Sequence, residues 1–213
     1  CFKVESIYSH LAASEDRPSA QCDLQIKRFK NIKETYEKIQ PNPPYFHLLN
    51  SSGVFNYPEY QFDAVRCGIA LHGYANKPEW DRLLKPVAAL KTKITQIHHI
   101  KKGEAVGYNN GWIAPDQTRI AILPLGHADG IGRHFGNHKG TVVINGQKAP
   151  IIGNICMDML MVDLNTIPCK EGDEVIFFDP YSQSAEEFAQ KGGTISYELL
   201  TGLGPRIKRQ LHY

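Results

Sequence analysis

Two hydrophobic periodicities divide this chain, and the change from one to the other near residue 86 limits its fold more than any other feature. Before it, short apolar runs alternate with a helical pattern. Phe2 to Tyr8 reads as a strand, Ile26, Phe29, Ile32, Tyr36 and Ile39 recur at spacings of three and four, and Tyr45 to Leu49 reads as a second strand. Asp23 is placed to cap the intervening helix, and Pro41 to Pro44 stop it. A loop from Asn50 to Gly53, a short helix around Glu59 to Asp63 and a strand from Val65 to Leu71 follow. Strand, helix and strand in this order imply parallel strands joined by crossover helices.

From Pro86 the pattern becomes a series of alternating segments: Val87 to Ile100, Arg119 to Leu123, Thr141 to Ile144, Ala149 to Ile152, Met159 to Val162 and Glu174 to Phe178. Gly, Asn, Asp and Pro turns separate them, and Asn145-Gly146 is a strong hairpin signal. These segments predict an antiparallel sheet or barrel, followed by helices from Ser184 to Gln190 and from Thr194 to Gly202. The composition shift places a boundary within residues 74 to 86, so the expected organisation is an α/β part over residues 1–80 and a β part over residues 81–213.

Composition excludes several classes of function. With 24 basic and 22 acidic residues the net charge is +2, too small to draw nucleic acid or an anionic membrane onto a whole face. The cluster Arg206, Lys208 and Arg209 reads as a solvated run. Five cysteines, Cys1, Cys22, Cys67, Cys156 and Cys169, are odd in number and form no C-x-x-C pair, which argues against zinc or a redox dithiol and for reduced thiols in the cytoplasm. No apolar run approaches the roughly 20 residues of a membrane span. Beginning at Cys1 in a strand-like segment, the sequence reads as an excerpt of a longer protein.

Three features point to chemistry. Asp158 stands between Met157 and Met159 in the run IIGNICMDMLMVDL, where an ionised carboxylate must be paired or hydrogen-bonded; it either caps a turn or serves a reaction. Arg66 interrupts a strand expected to be buried on both faces, so its guanidinium needs an acceptor from a structural carboxylate or from a ligand such as phosphate. Ser51-Ser52 and the backbone after Gly68 could supply donors to such an anion. Tyr108 sits in the loop GYNNGW, as a packing residue or as a base. Other patterns carry less. Residues 126 to 133 lack G-x-G-x-x-G spacing, His98 and His99 would face opposite ways on a strand, no metal site suggests itself, and no G-x-S-x-G element is present.

Seven segments, YSHLAASED (8 to 16), HLLNSSG (47 to 53), FDAVRCGIALHGY (62 to 74), GEAVGYNNGW (103 to 112), LPLGHADGIGR (123 to 133), VVINGQKAPIIGNICMDMLMVD (142 to 163) and GTISYELLTGLGPRIKR (193 to 209), together resemble the alanine racemases, pyridoxal 5'-phosphate enzymes that interconvert L- and D-alanine. The resemblance implies the last strands of a (β/α)8 barrel followed by a C-terminal antiparallel β domain. It implies that Arg66 bonds the pyridine nitrogen of the cofactor with His10 behind it, and that Ser51 and the backbone of Gly68 and Ile69 hold the phosphate. Tyr108 would be one acid/base and would reach the active site of the opposite subunit, making a homodimer with shared sites. The Met157 backbone and Asp158 would face the substrate.

The family's Schiff-base lysine, followed by alanine and asparagine, matches no lysine of this sequence, so residues 1–213 alone are expected to be inactive. Some relatives lie behind a peptidoglycan-precursor ligase, and such a fusion is one expected parent. Pro205 stands where many relatives have a tyrosine near the phosphate, and His127 where many have one at the mouth of the substrate channel. The alternatives are a non-catalytic β-rich binding or dimerisation module, or a racemase for another small amino acid.

Overall fold

The structure, a computed structural model, describes residues 2–75 and 77–211. They divide into one unit ending at Lys85 and a second beginning at Pro86. Cys1, counted among the thiols above, lies outside the described residues.

In the first unit β1 (Ser6–Tyr8) and β2 (Tyr45–His47) are parallel and in register, and α1 (Ala20–Ile39) crosses between them. A further parallel bridge joins His47 to Ala64. The helix buries Cys22, Ile26 and Phe29, one face at helical spacing, against Leu11, Phe46, Leu48, Leu49 and Tyr57. Each large apolar side chain so buried contributes roughly 1.5–3 kcal/mol.

Five expectations for this unit change. The first strand begins at Ser6 rather than Phe2. The cap of α1 is Ser19, whose hydroxyl accepts from the Cys22 N–H, while Asp23 lies inside the first turn, where its charge suits the helix dipole. The segment Asn50 to Gly53 is not a loop but the start of α2 (Ser51–Asn56), because the Asn50 side-chain oxygen Oδ1 accepts from the Gly53 N–H at 2.9 Å; a 3-10 turn at Pro58–Tyr60 replaces the helix expected over residues 59 to 63. No strand forms over Val65 to Leu71: after the bridge at Ala64 the chain runs irregularly into a 3-10 turn, Ile69–His72, closed by left-handed Gly73. A short helix, α3 (Pro78–Asp81), ends the unit.

The second unit is an antiparallel sheet of seven strands: β3 (Leu90–Lys93), β4 (Gln96–Ile100), β7 (Thr118–Leu123), β8 (Thr141–Ile144), β9 (Gln147–Ile152), β10 (Leu160–Asp163) and β11 (Glu174–Phe178), in spatial order 3-11-8-9-10-7-4. The single strand expected over Val87 to Ile100 is thus two. Ile94 donates to the Asp173 carbonyl beside β11 and Thr95 to the Ile122 carbonyl in β7. Within two residues the backbone changes partners from one end of the sheet to the other, which requires the sheet to curl until its edges meet. Asn145 and Gly146, both at positive φ, close the β8–β9 hairpin at Ile144↔Gln147.

A separate small hairpin, β5 (Ala105–Val106) with β6 (Trp112–Ile113), packs Val106 and Trp112 against Ile120, Ile152 and Met161. After β11, α4 (Ala185–Lys191) is capped by Ser184 and α5 (Ser196–Thr201) follows. Phe188 of α4 stacks on Phe135 and meets Phe177 edge-on.

Candidate active-site residues in each unit

In the first unit the C-terminal ends of the parallel strands converge on Arg66. Its Nη2 donates to the carbonyl oxygens of Ser9 at 2.8 Å and Leu48 at 3.3 Å, and Nη1 to that of His47 at 3.3 Å and to His47 Nδ1 at 3.0 Å. His10 Nδ1 lies 3.3 Å from Nη2, and the far ring nitrogen of His10 is 3.4 Å from the Asn50 amide. The Tyr8 ring, stacked on His47, lies under the guanidinium at 5.1 Å. Within the chain the guanidinium is therefore met by strand-end carbonyls and His47 rather than by a structural carboxylate, and Arg66 is half-buried outside any strand rather than sealed in one. Partial exposure with neutral acceptors avoids the cost of a fully buried ion pair.

Beside it, buried Ser51 accepts from the backbone N–H groups of Gly68 at 3.0 Å and Ala70 at 3.4 Å. A Cβ on Gly68 would meet nothing within 4 Å, so the space over this backbone is open. Ile69 is buried in the turn that follows. Asn50 ties the pieces together, capping α2, accepting from the Ser14 hydroxyl at 2.8 Å and touching His10.

In the second unit Asp158 is not buried. Met157, Asp158 and Met159 form the exposed apex of a loop between β9 and β10, which breaks what the sequence shows as one apolar run. Asp158 accepts from Arg206 Nη1 at 2.7 Å, and the same guanidinium, through Nε and Nη2 at 3.0 Å, holds the buried carboxylate of Asp129. The Asp158 bond and the nearby Asp129 charge raise the Arg206 pKa above its ordinary value. The other Asp129 oxygen accepts from the Gly126 N–H at 3.0 Å. Arg206 is thus a bridge between two carboxylates and not the free solvated residue expected.

The Met157 loop is fixed from below. His127 N–H donates to the Cys156 carbonyl and Ala128 N–H to the Met157 carbonyl, both at 3.0 Å, while exposed His127 heads the 3-10 turn His127–Asp129. Burial pushes the Cys156 thiol up, although Arg133 opposes it, so it stays protonated at neutral pH. A cleft of about 450 Å³ opens here, lined by Lys91, Leu125, Asp129, Asp158, Arg206 and Lys208.

Tyr108 is exposed on the loop of the β5–β6 hairpin, and its carbonyl accepts from the Asn154 side-chain amide at 2.9 Å. The Tyr108 loop and the Met157–Asp158 loop therefore meet through Asn154. Sequence reasoning missed Asn50, His47, Asp129, Asn154 and Arg206. For Asp129 a signal was present: an acid three residues after Gly126 has the spacing at which a carboxylate reaches back to the first backbone N–H of a turn, and Asp129 does so. Among the described residues no cluster of His, Cys, Asp and Glu could hold a metal ion, and no helix is long and apolar enough to cross a membrane.

Comparison with known proteins gives this geometry a context. Residues 1–76 match the family model described as alanine racemase, N-terminal domain, and residues 87–211 that of the alanine racemase, C-terminal domain. An alanine racemase of Halothermothrix orenii is 33% identical over 98% of this chain and 56% of its own length. An amino-acid racemase of Enterococcus faecalis is 38% identical over 99% of this chain and 30% of its own. Among solved structures, the alanine racemase from Streptomyces coelicolor A3(2) matches at 32% identity and a TM-score of 0.89 over 96% of this chain and 55% of its own. That from Bartonella henselae, solved with covalently bound pyridoxal phosphate, matches at 33% and 0.85 over 98% and 56%. The chain spans about half the length of the alanine racemases it matches. Two family models in sequence order, covering most of the chain, with an α/β unit followed by an antiparallel β unit, establish that this chain belongs to the alanine racemase family.

Proposed function

We propose that the protein interconverts L- and D-alanine with pyridoxal 5'-phosphate, supplying D-alanine for peptidoglycan synthesis in the cytoplasm. The observation that carries this reading is Arg66, a guanidinium pinned on the carbonyls of Ser9, His47 and Leu48 with His10 beside it. Its two terminal nitrogens are committed there, which leaves the Nε–H edge to donate to a ring nitrogen. Ser51 has its oxygen lone pairs taken up by Gly68 and Ala70, so its hydroxyl proton is what it can offer a phosphate, and the open space over Gly68 lets an anion approach the backbone near Ile69. The residues fit the cofactor.

When bound, the cofactor acidifies the α-hydrogen of the amino acid by delocalising the carbanion left behind. Arg66, a guanidinium hydrogen-bond donor, would orient the ring nitrogen. Tyr108 takes or returns a proton at one face of the α-carbon, and Met157 backbone and Asp158 orient the substrate. The base for the other face is the condensing lysine, which this sequence does not contain; residues 1–213 by themselves would be inactive, and the active form is a homodimer in which Tyr108 serves the partner's site.

Racemase and binding-module readings separate on the complete gene product. The racemase gives an absorption band of lysine-bound cofactor that borohydride abolishes and turns over L-alanine; absence of both would overturn the proposal. The similarity to an amino-acid racemase supports a second reading, action on another small amino acid. A kcat/KM for serine or lysine above that for alanine would establish it. Shared sites are tested by mixing a Tyr108→Phe chain with one lacking the lysine, which should restore activity.

A further inference from the structure

We propose that Asn154 is a positioning residue for the reaction, holding the Tyr108 loop in register with the Met157–Asp158 loop through one amide hydrogen bond. The inference rests on the racemase reading above. Its starting point is that the hairpin carrying Tyr108 has little to hold it. Each strand is two residues long, and a hairpin of that size is at best marginally stable in water. Its turn is also unfavourable by itself: Gly107, Asn109 and Asn110 all have positive φ, at 79°, 57° and 50°, and two of them carry a side chain. Such backbone persists only where the surroundings over-determine it.

The surroundings that do so centre on the short segment of Asn154. Asn154 Nδ2 donates to the Tyr108 carbonyl, which also accepts from the Gly111 N–H at 3.1 Å, so both lone pairs of that oxygen are used. Asn137, with its amide nitrogen turned toward them, donates to the carbonyls of Gly111 at 3.1 Å and Gly153 at 3.3 Å. Gly111 lies so close that a Cβ there would come within 2.7 Å of Asn154 Nδ2 and 3.0 Å of its backbone nitrogen. Gly107 is similarly pressed on Met161. Behind the turn, Trp112 and Val106 pack on Ile152 and Met161, which fixes the base of the hairpin but not its tip.

Tyr108 itself is 71% exposed, so packing within this unit does little to set where its phenol stands. Asn154 is four residues before Asp158 on the same loop. A single backbone segment therefore presents Asp158 and grips the tyrosine loop, so a shift of one is carried to the other. Proton transfer falls steeply when donor and acceptor are misplaced by an ångström, and a loop released from Asn154 loses that much definition.

The test uses the complete protein. Asn154→Asp keeps the volume but presents oxygen to the Tyr108 carbonyl, and Asn154→Ala removes the contact. Both should lower kcat about ten-fold with KM within about two-fold, and both should add nothing in a Tyr108→Phe background. Hydrogen exchange of the Gly111 amide, read without reference to turnover, should quicken about ten-fold in either variant. Wild-type kcat and Gly111 protection in Asn154→Asp would overturn the proposal, as would an equal further loss in the Tyr108→Phe background. A wild-type protein that does not racemise alanine refutes the reading beneath it, while the exchange data still show whether Asn154 holds the loop.

Discussion

Gly126 lies directly under the Met157–Asp158 loop. Its φ of −142° is open to any residue, so replacing it by alanine costs nothing in backbone conformation; the effect must come from contact alone. A Cβ there would stand 2.3 Å from the Met157 carbonyl oxygen and 2.4 Å from that of Cys156, both backbone atoms that no rotamer change can move. The loop must retreat by roughly 0.7 Å or more to reach even a tight contact. Two hydrogen bonds hold it where it is, from His127 N–H and Ala128 N–H. At about 0.5–1.5 kcal/mol each, their loss makes Gly126→Ala destabilising by about 1–3 kcal/mol, or about 2–12 °C in Tm for a chain of this size. Urea denaturation should show a lower midpoint at an unchanged slope, since the folded and unfolded surfaces are the same. On the proposed racemase reading, turnover of alanine by the complete protein should fall by more than stability alone explains, because Asp158 and the Met157 carbonyl move with the loop. A Gly126→Ala protein that melts with the wild type and turns over alanine normally would refute this account of the loop.

Gly68→Ala is the converse case: nothing lies within 4 Å of the new Cβ, so folding should be unaffected while affinity for pyridoxal phosphate falls several-fold, and unchanged affinity would show that no phosphate approaches this backbone. Asp129→Ala orphans the buried Gly126 N–H and should cost about 1–3 kcal/mol, with Asp129→Asn milder because it still accepts; equal unfolding midpoints for the two would contradict the capping role. Phe188→Ala removes a fully buried ring packed on Phe135 and Phe177 and should cost about 3–5 kcal/mol by chemical denaturation. Burial works to raise the Asp179 pKa, but hydrogen bonds from Ser182, Tyr181 and Gln183 outweigh it and hold the carboxyl below its ordinary value. Its contribution to stability is then fully present above the unfolded value near about 3.9 and is lost as pH falls through the lower folded value. Asp179→Asn should flatten the acid limb of a plot of Tm against pH; an unchanged limb would remove Asp179 from the cause.

Local pattern alone determined much of this fold. The 3.6-residue recurrence of Ile26, Phe29 and Tyr36 marks α1, and the runs at Thr141 to Ile144 and Glu174 to Phe178 coincide with strands to the residue, because short runs of β-branched and aromatic residues bounded by turn residues favour a strand even where, as here, both faces are largely buried. Asn145-Gly146 specified its hairpin because both positions need positive φ. Misreadings arose where one residue type serves two local structures: Asn and Ser make turns and also cap helices, so Asn50 to Gly53 looked like a loop. The turn between Ile152 and Met159 was legible, but the apolar residues Met157 and Met159 flanking Asp158 gave no sign that all three stand exposed at its apex.

The partners of the charged groups were decided by tertiary structure. Arg66 meets the Ser9 carbonyl 57 residues away, and Arg206 meets Asp129 and Asp158 at separations of 77 and 48. Which residues come together at such distances depends on strand order and on the curl that joins β3 to β4, and no periodicity along the chain encodes either. Residue type told which groups needed a partner, since a guanidinium or carboxylate must be satisfied wherever it lies; only the folded chain could choose that partner.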